Sequence, residues 1–323
     1  MFRSTLFLLF LLLSTVSLSA KKGQSLFDRW SHTDNKRIDI YLNLDTLLAN
    51  RNTTNVMRGI VIDSGLQLGV DISVRGRYRR RTCALPPMML QFDKDPLRGA
   101  GLNTHNDYKL VTPCTNDAAG QDAILREALA YELYRTVNPA ASFRTQLLTI
   151  TYHDLAKGTS FVSYGIVIED TDELKDRLEA KNCEECFAQP LENFTNAETV
   201  ALFQYMIGNA DYSTTLGRNL KLMQAEDGRI TAVPYDFDFT GLVNPTYGTV
   251  TDPTQESLTD RVFVWEFDSV PNLQAAQDDF LVLEHELMQQ VLDFEELEAG
   301  SKREITRYLK GFFRDLKHNR IAQ

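Results

Sequence analysis

The 323-residue chain carries 34 Lys and Arg against 44 Asp and Glu, a formal net charge of −10, and is 43% hydrophobic. That apolar share is ordinary for a folded protein. The acidic balance disfavours a nucleic-acid partner, which would set acid against phosphate.

The first twenty residues have the layout of a secretory signal peptide. Arg3 supplies the positive start, residues 6–13 are almost wholly apolar, and Val16-Ser17-Leu18-Ser19-Ala20 brings small residues. The apolar core is shorter than the ~20 residues of a stable membrane anchor. Cleavage after Ser19 or Ala20 is expected, giving a secreted or periplasmic protein with no membrane span after cleavage. An uncleaved anchor beside Lys22 is the alternative.

Residues 21–168 read as a sheet-rich lobe. Period-two alternation marks strands at 37–44, 66–74, 88–92 and 108–112, and a hairpin at 146–152 and 160–168 turning at 154–158. One long helix interrupts them at about 122–137, stopping before Asn138-Pro139. Leu125, Ala128, Leu129 and Leu133 share one face of it, with Glu132 among them. A carboxylate on an apolar stripe needs a partner, and Lys109 is the expected one. Glu127, on the other side of the helix, is the alternative. The run Arg75-Gly76-Arg77-Tyr78-Arg79-Arg80-Arg81 is the one dense basic stretch, and as residues alone it suits a solvated strand edge.

Residues 169–323 read as a helical lobe. Helices are expected at 172–181, at 197–207 behind an Asn196 N-cap, and as two or more amphipathic helices within 278–319; strands at 219–223 and 229–233 form a small hairpin. Four cysteines suggest disulfides in an exported chain. Cys83 and Cys114 border strands that should be neighbours and are expected to pair. Cys183-Glu184-Glu185-Cys186 fits half a zinc site, a redox pair or a local disulfide; with no second CxxC or His pair nearby, the local disulfide is favoured.

The segment 208–241 holds the chemistry. A helix ends before Asp211, a strand begins at Asn219, and its hairpin partner delivers Asp236-Phe237-Asp238. In kinase-like phosphotransferases one Asp takes the nucleophile's proton, while an Asn and a later Asp hold Mg²⁺ on the nucleotide phosphates. The order here matches. Asp and Asn are also ordinary loop and cap residues, and Asp236 and Asp238 could instead be the paired carboxylates of a hydrolase.

The chain also resembles the CotH family of atypical protein kinases over about 71–241. The resemblance rests on Val74-Arg75-Gly76-Arg77, on Pro86-Pro87-Met88-Met89-Leu90-Gln91-Phe92-Asp93-Lys94, and on the helix containing Leu125-Arg126-Glu127-Ala128-Leu129-Ala130-Tyr131-Glu132-Leu133. The hairpin to Glu169, Asn209-Ala210-Asp211, Asn219 and Asp236-Phe237-Asp238 follow in order. It implies an α+β, protein-kinase-like two-lobed fold: a mostly antiparallel sheet with one helix in the N-lobe and a mainly helical C-lobe. It implies an exported kinase using Mg²⁺ and ATP on a protein acceptor. Asp211 would be the catalytic acid, with Asn219, Asp236 and Asp238 at the metal. Arg79, Lys109, Glu132 and Glu169 would serve the nucleotide, Glu169 beside its base. Where the family has Lys before the strand's Phe, this chain has Gln91, which leaves Lys109 or Lys94 to supply the charge. The alternative is a pseudokinase-type module that binds a surface-protein partner without catalysis.

Overall fold

The computed structural model describes residues 23–32 and 36–321; the expected signal peptide at 1–20 lies outside the described residues. Seven strands, β1 (Arg37–Leu42), β2 (Val56–Asp63), β3 (Leu66–Val74), β4 (Met88–Phe92), β5 (Asp107–Val111), β6 (Thr145–Asp154) and β7 (Thr159–Ile168), form one sheet. Their order is β1-β2-β3-β4-β5-β7-β6, and β6 pairs back onto β1 to close a barrel.

That closure corrects the expected protein-kinase-like two-lobed fold. Every neighbouring pair is antiparallel except β1 and β6, which run parallel from Arg37↔Thr149 to Leu42↔Asp154. A ring of seven strands cannot alternate direction all the way round, so one parallel pair is unavoidable. Strand β2, unmarked by clean alternation because Ile60, Val61 and Ile62 run together, bridges β1 to β3.

Side chains fill the barrel, as in other small closed sheets. Val70, Ile72, Leu90, Tyr108, Leu110, Ile150 and Val167 point inward by strict alternation. Helix α1 (Leu26–Ser31) inserts Trp30 against Phe92 and Tyr108, with ring centroids 6.0 and 5.2 Å away. Its start is fixed by a capping box between Ser25 and Asp28. Short helices α2 (Leu44–Ala49), α3 (Arg79–Thr82) and α4 (Lys94–Gly99) fill connections around the barrel.

The crossover from β5 to β6 carries the long helix α5 (Ala118–Val137). Asp117 caps it by accepting the Gly120 N–H at 2.8 Å. Residues 123–131 of α5 are all buried, so the helix is enclosed on every face. It joins the second apolar core with α6 (Thr171–Leu178), α7 (Ala197–Ile207), α8 (Gln274–Asp293) and α9 (Ala299–Lys317). A second sheet is ordered β10-β9-β8, from β8 (Lys181–Asn182), β9 (Leu220–Gln224) and β10 (Ile230–Pro234). Asn196 sits at the N-cap of α7, but its side chain bonds both the carbonyl and the N–H of Ala232, tying helix to hairpin.

Both expected disulfides form, Cys83–Cys114 and Cys183–Cys186. Ala84 N–H also donates to the Cys114 carbonyl at 2.9 Å, so the first bridge joins segments already hydrogen-bonded. Two disulfides fit an oxidising compartment. Among the described residues no helix is long and apolar enough to cross a membrane.

Candidate active site

Helix α7 ends at Gly208, whose φ of 67° a side chain would resist. The chain then turns so that Asp211 N–H donates to Asn209 Oδ1 at 2.8 Å. Asn209 also forms an isolated antiparallel bridge with Thr240, holding the loop against the segment after Asp238. At the loop's far end, Asn219 donates its side-chain amide to both the Asp211 carbonyl and the Asp211 carboxylate, the latter at 3.2 Å. Tyr235 N–H donates to the Asn219 carbonyl at 3.0 Å, so the hairpin of β9 and β10 brings Asn219 beside Asp236.

Asn219 and Asp236 both adopt left-handed backbone, φ 53° and 67°. Such non-glycine positions cost on the order of 1–3 kcal/mol and collect at functional sites. Asp236 N–H donates to the Tyr131 hydroxyl at 2.9 Å, which anchors the turn to α5. Burial raises the Asp211 carboxyl above its usual range, Arg218 and Asn219 pull it back, and the charge of Asp236 pushes it up further.

Behind this pair lies a buried charge network. Arg79 reaches Glu127 at 3.2 Å and Asp238 at 3.6 Å and donates to the Thr112 carbonyl. All three ionisable groups are under 10% exposed. Burial lifts Glu127 to about 7 although Arg79 opposes it. Asp238 is pushed well above the carboxylate range by burial and by Asp236. Asp238 Oδ2 and Glu127 Oε1 have no hydrogen-bond partner. Oxygen donors in excess of cations suit a hard cation. No cluster of three or more His, Cys, Asp or Glu among the described residues could hold a metal alone. Mg²⁺ normally takes only one or two carboxylates and completes its shell with other oxygens and water; Asp236 and Asp238 are two electrostatically interacting carboxyls following the hairpin that begins after Asn219.

Cations face the same space from the barrel side. On β5, Tyr108 and Leu110 enter the barrel while Lys109 points out toward the helical body. Lys109 is buried, donates to Thr171 Oγ1 at 2.9 Å and lies 5.6 Å from the Phe143 ring. Burial first, then the charges of Arg75 and Lys221, lower its pKa to about 8 against the opposing pull of Asp170 and Asp107. Arg75 also acts on Glu127, Tyr131 and Tyr235. Arg75 thus lies within electrostatic reach of both Lys109 and Glu127.

The structure brings Asp211, Asn219, Asp236, Asp238 and Arg79 to one region, reaches Lys109 only through Arg75, and leaves Glu132 and Glu169 out of it. Arg79 is not a free phosphate contact, because Glu127 and Asp238 hold it. Glu132 does not pair with Lys109; its charged neighbours are Arg135, Lys36 and Glu296. Glu169 is fully buried and locked by Arg144, through its backbone N–H and Nε at 2.8 Å each, and by Arg177 at 2.7 Å. Those contacts brace the turn from β7 into α6 and leave no carboxylate edge for a ligand.

Sequence reasoning missed Lys221, Tyr131 and Glu266 near this region; it named Arg75 only within the basic run and Glu127 only as the alternative partner of Lys109. Alternation on β9 could have found Lys221: Leu220 and Leu222 are buried, so Lys221, two residues after Asn219, takes the opposite face. Glu266 lies in a stretch with no regular structure and offers no such signal. Its Oε2 accepts from Ser213 Oγ, Thr214 Oγ1, Thr215 N–H and Thr215 Oγ1 at 2.9–3.1 Å, clamping the loop between Asp211 and Asn219. Two surface clefts, of about 490 and 570 Å³, include none of Asp211, Asn219, Asp236 or Lys109. No family model and no curated protein matches the chain.

Proposed function

We propose that the chain is an exported phosphotransferase that moves the terminal phosphoryl group of Mg²⁺-ATP to a hydroxyl of a protein acceptor, as the CotH resemblance implies, on a barrel-and-helix scaffold. The observation that carries this reading is the Asn219 amide on the Asp211 carboxylate, with Asp236 at the other end of the same hairpin.

Each group has a role that follows from its surroundings. Asp211, desolvated and raised in pKa, accepts the acceptor's proton as its oxygen attacks phosphorus and the bond to the nucleoside diphosphate breaks. Asn219, Asp236 and Asp238 would hold the metal, which when bound would neutralise phosphate charge. Lys109, Arg75 and Lys221 face the phosphates, taking the place of the positive charge that Gln91 lacks. Arg79 and Glu127 hold Asp238 and α5 in register without touching substrate.

A second reading, a binding module without catalysis, is favoured by one observation. Gln91 bonds Asp107 across β4 and β5, so that register carries no cation. Titration of the purified chain with ATP, with and without Mg²⁺, followed by a phosphate-release and acceptor-labelling assay, separates the two. Metal-dependent binding with transfer supports the enzyme, binding without transfer supports the module, and no nucleotide binding removes both nucleotide-based roles.

A further inference from the structure

The cleft of about 490 Å³ lies between α5, the segment after Asp238, and α9, and three arginines line it: Arg126, Arg261 and Arg307. A cationic cleft stands out on a chain of net charge −10. Arg126 is matched, with Asp122 at 2.6 Å and Glu304 at 2.7 Å. Arg261 has no carboxylate partner among the described residues. It donates to the carbonyls of Met206, at 3.3 Å, and Tyr308, at 2.7 Å, and its guanidinium sits 3.7 Å over the Tyr308 ring. Burial works against its charge, while Tyr308, Tyr205 and Asp315 favour it and Arg314 opposes it.

Arg307 is exposed and enters the same cleft without an ion pair among the described residues. Gly311 leaves the Nη1 edge of Arg261 uncovered: a Cβ there would come within 3.3 Å of that nitrogen. Asn244, Thr259, Tyr308 and Glu304, the last paired with Arg126, complete the polar lining. Two guanidiniums with no ion-paired carboxylate among the described residues match the roughly −1.5 to −2 charge of a phosphate monoester at neutral pH, and their planar forks suit its oxygens.

We propose that this cleft binds a phosphate group, free or carried on a phosphorylated side chain, through Arg261 and Arg307. It shares α5 and the segment after Asp238 with the candidate active site but contains none of that site's side chains. The proposal therefore stands or falls apart from the phosphotransferase reading.

Calorimetric titration of the whole chain at low salt tests it, using inorganic phosphate, a phosphoserine peptide and the same peptide unphosphorylated. The variants are Arg307→Glu, on the surface, and Lys109→Met, which disarms the other cationic region. Saturable one-to-one binding is expected, weakened by ~10-fold or more in Arg307→Glu and unchanged in Lys109→Met, with the melting temperature of Arg307→Glu unaltered. A phosphopeptide that binds far more tightly than phosphate identifies a protein-borne group; equal binding identifies free phosphate. No saturable binding of either phosphorylated probe, equal binding of the unphosphorylated peptide, or weakening by Lys109→Met but not by Arg307→Glu would overturn it.

Discussion

The Glu266 carboxylate accepts the Ser213 hydroxyl at 2.9 Å, and the same oxygen takes three further hydrogen bonds from Thr214 and Thr215. One acid from an irregular stretch thereby shapes the loop that presents Asp211 and Asn219. Burial raises the Glu266 pKa, but the bonds from Thr215, Ser213 and Thr214 outweigh it, and the net shift is downward. A carboxylate lowered on folding contributes stability above its unfolded value and loses it as pH falls through the folded one. The clamp should therefore hold at neutral pH and release only in acid. Glu266→Ala should cost about 1–2 kcal/mol, discounted for an exposed group. Its main effect should be faster amide exchange across residues 213–219. Glu266→Gln should recover part of the protection; if neither variant changes exchange there, the clamp is not what orders the loop.

Asp236→Ala and Asp211→Ala should separate binding from transfer. The first removes one of the two carboxylates proposed at the metal and should weaken Mg²⁺-dependent nucleotide binding by ~10-fold or more. The second should leave affinity near wild type while lowering turnover by roughly 10²–10⁴-fold. Equal loss of affinity in both would assign Asp211 to the metal instead.

Lys109→Met should act in opposite directions on stability and on binding. The folded chain holds the Lys109 proton less tightly than the unfolded chain does, with a pKa of about 8. Between that value and the ordinary lysine value the unfolded state binds more protons, so stability rises with pH across that window. Methionine removes the buried charge and should raise the melting temperature at pH 7, while nucleotide affinity falls. Wild-type affinity should likewise decline as pH climbs past about 8. A variant that melts lower would show that the bond to Thr171 matters more than the charge.

Replacing Cys83 and Cys114 together by serine should destabilise the chain by roughly 3–4 kcal/mol in the chain-entropy account, read as a lower urea midpoint. The bridge spans 31 residues and ties α3 beside the end of β5. Arg79 sits on α3, so the variant should also loosen the network with Glu127 and Asp238. An unchanged midpoint would mean that the Ala84 to Cys114 hydrogen bond suffices.

Local pattern made much of this legible. Strands β3 and β4 stand at the residues their alternation marks, and the β9–β10 hairpin carries Asn219 to Asp236 as its spacing requires. What escaped was long-range or two-sided. Nothing in residues 37–42 announces a parallel partner more than a hundred positions away. Helix α5 is buried on all faces, so an apolar stripe could not tell Glu127 from Glu132. Arg79 reads as one of a solvated run, yet its neighbours bury it against two acids. The kinase-like lobe expected around these residues proved to be a closed barrel because β1 found β6.

That seam between β1 and β6 has a consequence for how the molecule is made. Ile40 waits for Tyr152, and all strands but β7 must exist before the first edge is covered. A chain growing from its N-terminus therefore carries an open, apolar-lined edge through more than a hundred residues of synthesis. Open edges template pairing with other chains, and distant partners close slowly. Strands β1 to β5 can pair in sequence, but the ring closes only once β6 is present. Any fragment ending before β6 would leave Ile38 and Ile40 on a sheet with two raw borders, a species fit for a chaperone and unfit for solution.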